Sequence, residues 1–79
     1  MIRFQAESVQ RVIEVARRES DGVRSLWWEV SYDGGAMSAG ACVGEGERCE
    51  DPRLSRRVRR AVNELLGREW AAWDAELDA

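Results

Sequence analysis

The side chains that most often carry catalysis are sparse in this chain. It contains no histidine, and its two cysteines, Cys42 and Cys49, are too far apart for a CxxC metal knuckle. Neither thiol has a neighbouring base in the sequence to activate it as a nucleophile. The glycine-rich stretches "GGAMSAG" and "GEGE" lack the lysine and the strand-loop-helix setting of a phosphate-binding loop. We therefore expect no enzyme, no cofactor and no metal. Two cysteines in an ordinary core-forming sequence are expected to stay reduced in a cytosol, with an intramolecular bridge as the alternative.

What remains is binding chemistry, in three places. In "SLWWEVSYDGG" (25–35), Trp27 and Trp28 are neighbours, and neighbours on a strand point to opposite faces. Only one of them can enter the core. With Leu26, Trp28, Val30 and Tyr32 facing inward, Trp27 shares the open side with Glu29 and Ser31, opposite small residues such as Gly40 and Cys42. Two readings stand for that ring: an anchor for a partner, since tryptophan is enriched at the energetic centres of interfaces, or an aromatic that shields a thin sheet edge or folds over the glycines to fill a gap. Asp33 at the hairpin tip, with Glu45 and Glu47 beyond it, adds acidic surface that could dock on a basic protein. The third place is "RLSRRVRR" (53–60). There Arg53, Arg56, Arg57 and Arg60 fall opposite Leu54, Val58 and Ala61, with Arg59 nearer the margin. They form either a phosphate-contacting face or a solvated one.

The elements that must position these residues follow from periodicity. Val9, Val12, Ile13 and Ala16 recur at the spacing of one helical face, which predicts a helix from about Ala6 to Glu19 capped by Gly22. "MIRF" ahead of it can form a short third strand. Alternation from Ser25 to Tyr32 and again from Met37 to Val43 around "DGG" predicts an antiparallel hairpin. Two registers keep apolar residues opposite each other: Trp28 with Ala39 and Val30 with Met37, or Trp28 with Ala41 and Val30 with Ala39. A three-residue loop, setting Val30 against Ser38, would turn the return strand inside out. Asp51 as N-cap and Pro52 at the first position open a last helix to about Leu77. Its apolar stripe shifts after Gly67, predicting a bend or interruption there. The expected fold is α+β: a two-layer α-β-β-α arrangement in one domain, 1–79, with a hairpin packed against two helices.

The bulk composition limits the partners. Twelve basic residues, all arginine, stand against fifteen acidic ones, a net charge of −3. That balance argues against direct nucleic-acid binding through a global positive field. The all-arginine usage also fits a GC-rich coding sequence. "MIRFQAESVQ" shows no apolar run behind a basic start, and no segment approaches the length of a bilayer span. A cytoplasmic protein without membrane contact is expected.

In its stretches "MIRFQAESVQRVIEVARRES", "SLWWEVSYDGG" and "EWAAWDAELDA", as in size and acidic balance, the chain resembles the small phage-encoded anti-CRISPR proteins that inhibit type I systems, type I-C among them. The resemblance implies a stoichiometric inhibitor without turnover or cofactor, working in the cytoplasm of a bacterial host cell. Its partner would be the type I CRISPR surveillance complex, through the backbone subunits that hold nucleic acid, so that target DNA cannot hybridise. Five arginines in one run depart from a pure DNA mimic, which favours steric occlusion by a mixed-charge surface. On this reading the partner-binding residues are Trp27, Glu29, Ser31, Asp33, Glu45 and Glu47. Two other readings stay open. One is a small nucleic-acid-binding regulator using Arg53, Arg56, Arg57 and Arg60. The other is an antitoxin-like adaptor, a homodimer through the Trp27 face or the Trp70/Trp73 segment.

Overall fold

The computed structural model of the chain describes residues 2–6, 9–32 and 37–79, with side chains described for 11–31 and 39–79. The fold is α+β. Four strands, β1 (Ile2–Ala6), β2 (Val9–Ser20), β3 (Val23–Tyr32) and β4 (Met37–Val43), precede one helix, α1 (Arg56–Leu77). The strands form an antiparallel sheet in sequence order, β1-β2-β3-β4.

The expected short strand at the N-terminus is present as β1, paired with β2 from Ile2↔Ile13 to Ala6↔Val9. The expected helix over 6–19 is not; Ala6 ends β1 and residues 9–19 belong to β2, with 7–8 outside the described residues, so among the described residues one helix and not two covers the sheet. The physical reason lies in β2 being an inner strand with apolar residues on both faces. Ile13 and Val15 pair with Val30 and Trp28 on the core side, while Val12 and Ala16 pair with Ser31 and Trp27 on the other. Side chains wanted on both faces reproduce the 3, 4, 7 spacing of a helix by coincidence. The β-branched Val9, Val12, Ile13 and Val15 carry the contrary signal.

Gly22 does not cap a helix either. Ser20 pairs with Val23, leaving Asp21 and Gly22 as a two-residue turn, and both have positive φ (53° and 78°). This is the pattern of a type I′ hairpin turn, which twists in the same sense as the strands it joins.

The β3–β4 ladder takes the second of the two expected registers, with Trp28 opposite Ala41 and Val30 opposite Ala39. A register shift between Val30 and Ser31 then sets Ser31 against Met37. The excluded three-residue register thus holds at that one pair, and the irregularity restores apolar pairing below it. The tip, 33–36, lies outside the described residues.

Helix α1 starts at Arg56, not at Pro52. Its N-cap is Ser55, whose hydroxyl accepts from the Val58 N–H at 3.2 Å. Asp51 instead organises a turn ahead of the helix. Its carbonyl accepts from the Leu54 N–H and its carboxylate from the Arg53 N–H. That turn directs Leu54 into the core, where it is 4% exposed. Asn63 ties the same connection to the helix from the other side. Its amide oxygen accepts from Cys49 N–H at 2.7 Å and its amide nitrogen donates to Cys49 C=O at 3.0 Å.

The core joins Ile13, Leu26, Trp28, Val30, Ala39 and Val43 of the sheet to Val58, Val62, Leu66 and Trp73 of the helix, with Cys49 and Leu54 between. Trp28 is its largest fully buried side chain, only 1% exposed; the small Ala39 and Ala41 of β4 leave room for its rings. The helix runs unbroken through Gly67. Val58, Val62 and Leu66 recur every four residues, so the buried stripe turns about 40° per step and swings toward Trp70 and Trp73.

Those two tryptophans stack on each other, centroids 5.8 Å apart, and meet arginines from the sheet. Arg24 lies 5.3 Å from the Trp70 centroid and 4.8 Å from that of Trp73; Arg17 lies 5.2 Å from Trp73. The same arginines bind helix carboxylates, Arg17 with Glu69 and Glu76, Arg24 with Asp74. Each cation over an indole contributes about 0.5–1 kcal/mol at a partly exposed site. The distal helix is therefore clamped by cations on rings, not by a continuation of the aliphatic core.

A Cβ at Gly67 would meet no atom within 4 Å. Gly67→Ala should therefore stabilise by about 0.5–1 kcal/mol, raising the melting temperature by about 4–8 °C per kcal/mol. Trp28→Ala should cost about 3–5 kcal/mol, a large share of the whole for so small a domain. Urea denaturation of both variants checks this placement of core and solvent.

Candidate docking face

Helix α1 lies against the face bearing Trp28, which leaves the face bearing Trp27 without a covering element among the described residues. Strand alternation brings Glu14, Ala16 and Arg18 of β2, Ser25, Trp27, Glu29 and Ser31 of β3, and Gly40 and Cys42 of β4 to that side. Val12, beside Ser31, is buried on that side, outside the main apolar cluster.

Trp27 is half-buried and held by three neighbours. Its six-membered ring lies over Gly40, where an added Cβ would come within 2.8 Å of Trp27 Cζ2 and 3.1 Å of the Trp28 carbonyl oxygen. Glycine is required there because ring and backbone already fill the space of a side chain. The indole N–H donates to Glu29 Oε1 at 3.2 Å. The Arg18 guanidinium stands 4.9 Å from the ring centroid. The ring thus folds over a glycine, one of the two readings the sequence left open. It also keeps surface exposed at the middle of a sheet face that no described element covers.

The other expected partner-binding residues divide. Glu29 and Ser31 share the face with Trp27. Glu45 and Glu47 are on the helix side, in the turn after β4. Glu45 pairs with Arg24, which also holds Asp74, and the Glu47 carboxylate accepts from the Gly44 N–H. Asp33 lies outside the described residues. Cys42 is exposed on the open face and Cys49 is buried in the core, both as free thiols. Burial pushes the Cys49 thiol above its ordinary pKa, which keeps it protonated and unreactive.

The arginine run also divides. Arg53 is bound through two nitrogens by the Asp51 carboxylate. Arg59 donates to the carbonyls of Asp51 and Leu54, a structural brace across the turn. Arg56 and Arg60 instead line a groove between the 48–50 segment and the helix, together with Arg48, which sequence reasoning did not single out. Its position just before the buried Cys49 was the only available signal. Among the described residues no three cysteine or carboxylate side chains gather as a cation site, and no helix is long and apolar enough to cross a membrane. Comparison with protein-family models, curated proteins and solved structures returned no match.

Two outcomes follow. Gly40→Val should force the Trp27 ring off its seat, which fluorescence and indole N–H chemical shifts will register as loss of the Glu29 and Arg18 contacts. An unchanged Trp27 environment would contradict the seat. Asp51 is held at about 2 by its hydrogen bonds from Arg53, below the value near 3.9 of an unfolded chain. Its contribution to stability is therefore present above about pH 4 and lost as pH falls toward about 2. Titration of the Asp51 carboxyl by NMR should show this, and Arg53→Gln should raise it toward the ordinary carboxylate range, with the bond from the backbone N–H of residue 53 retained.

Proposed function

We propose that this chain is a binding protein without turnover, which docks the open face of its sheet on a protein partner with Trp27 as the anchor. One observation carries the reading: a half-buried tryptophan, fixed by Gly40, Glu29 and Arg18, in the middle of a sheet face that nothing in the described chain covers. A ring already held in place loses little conformational freedom on binding, so more of its burial appears as affinity. Glu14, Glu29 and Arg18 give the face mixed charge, suited to a complementary polar rim around an aromatic centre.

The resemblance to type I anti-CRISPR inhibitors supplies the class of partner. On this proposal the chain binds the nucleic-acid-holding backbone subunits of a type I surveillance complex in the cytoplasm of a bacterial host cell, and excludes target DNA by occupying space. Trp27, Glu29 and Ser31 form the contact. Glu45 and Glu47 serve the fold of the helix side and take no part in it, unlike the grouping drawn from the sequence.

Biolayer interferometry with a purified type I-C surveillance complex is the test, alongside light scattering on the isolated chain. The expected result is one-to-one binding that blocks DNA capture. Trp27→Ala should abolish binding, at a stability cost of no more than about 2 kcal/mol for a half-buried ring and one cation contact. A monomer that fails to bind the complex would remove the CRISPR reading. A stable dimer dissociated by Trp27→Ala would assign the face to a second copy, as the adaptor reading requires.

A further inference from the structure

The helix is charged against its own dipole. Its first turn carries Arg56 and Arg57 and no acidic residue, and its last turn carries no basic one. At the distal end the mismatch is offset, because Asp74 and Glu76 bind Arg24 and Arg17 of the sheet. At the proximal end Arg56 has no such partner among the described residues. Arg56 and Arg60, together with Arg48 from the connection, make no ion pair and no hydrogen bond among the described residues, yet all three line one groove of about 560 Å³.

The walls of that groove are fixed by contacts that leave these three guanidinium groups unused. Arg59 braces the 51–54 turn. Asn63 clamps the backbone of Cys49 and holds the segment bearing Arg48 against the helix. Glu50 is the only acidic residue on the lining, against four arginines. Three uncommitted guanidinium groups from two elements, converging in a chain of net charge −3, repel one another, and Arg56 also opposes the helix dipole. Arginine's planar fork matches the oxygens of a phosphoryl group through paired charge-assisted bonds.

We propose that this groove is a phosphate-binding site, with Arg48, Arg56 and Arg60 as its ligands. It lies on the helix side of the sheet and is independent of the Trp27 face. The phosphoryl group belongs either to a small phosphate compound or to a nucleic-acid backbone, two sources with one chemistry. Extension along the helix reaches a neighbouring depression that shares Arg48 and Arg60, is lined by Leu66 and Trp70, and carries the carboxylates of Glu47 and Glu64, which keep the phosphoryl group itself in the arginine groove. A phosphate ligand with an apolar or aromatic extension therefore fits better than a bare anion.

The test is an NMR titration of the arginine Nε–H signals at low ionic strength, with inorganic pyrophosphate and with a twelve-nucleotide oligothymidine as separate probes. Saturable shifts at Arg48, Arg56 and Arg60 are expected, and Arg56→Gln and Arg60→Gln should each weaken binding by at least about tenfold. If the backbone is the source, the oligonucleotide binds more tightly than pyrophosphate. The logarithm of its affinity then falls with that of salt at a slope of about −2 for three phosphates on a single strand. If pyrophosphate binds as well or better, the ligand is a small phosphate compound. Removing Arg56 should leave thermal stability unchanged or raise it, because a positive charge leaves the first turn. Trp27→Ala should bind both probes like the unaltered protein, which separates this site from the docking face. Absence of saturable shifts with either probe would overturn the proposal, as would equal binding by the glutamine variants. Binding of polyglutamate in preference to both phosphates would also overturn it, assigning the groove to an acidic protein segment.

Discussion

Among the described residues, one helix has to cover a four-stranded sheet. A helix of 22 residues extends about 33 Å, enough to lie along one face but not to serve both. The sheet is therefore apolar toward the helix and mixed in character on the other side, and adjacent tryptophans of β3 have opposite fates. Trp28 is the centre of the core. Trp27 lies on the bare side, held by what a sheet face can offer an indole: a glycine beneath its ring, a carboxylate for its N–H and a guanidinium over its face.

The same constraint shapes the charge pattern. The aliphatic stripe of the helix rotates away from a straight line, so the distal turns need another means of attachment. Arg17 and Arg24 supply it, standing on the core side of β2 and β3 and joining Trp70 and Trp73 through their π faces and the helix carboxylates through ion pairs. Acidic residues gathered at the distal end for that purpose leave the basic ones at the proximal end, where the fold makes no use of three of them. The asymmetry along the helix thus separates residues that hold the structure together from residues available to a ligand.

Much of this was legible in the residues and some was not. The α+β class, the core position of Trp28 and the long last helix follow from alternation and turn chemistry, which also narrow the partner of Trp28 to Ala39 or Ala41 without choosing between them. β2 is hidden in the sequence because an inner strand with apolar residues on both faces imitates helical spacing. The correcting signals were its β-branched residues and the Asp21-Gly22 pair, taken for a helix cap when it makes a hairpin turn. Asp51-Pro52 imitated a helix start, while the Ser55 cap was hidden among arginines. The open position of Trp27 was legible from strand alternation, and so was the glycine beneath it as one of two alternatives. The separation of Glu45 and Glu47 from that face was not, because it depends on where Arg24 points. Arg48 could be placed beside Arg56 and Arg60 only after the Asn63 clamp on Cys49 was known.

The central claim, that the open face is where a partner docks, can be read directly from one thiol. Cys42 is exposed across the ladder from Trp27, while Cys49 is buried and kept protonated, so a maleimide reports on Cys42 alone. The rate of Cys42 alkylation should fall sharply when the chain is bound to a type I surveillance complex. An unchanged rate in a complex shown to have formed would place the interface elsewhere and contradict the account.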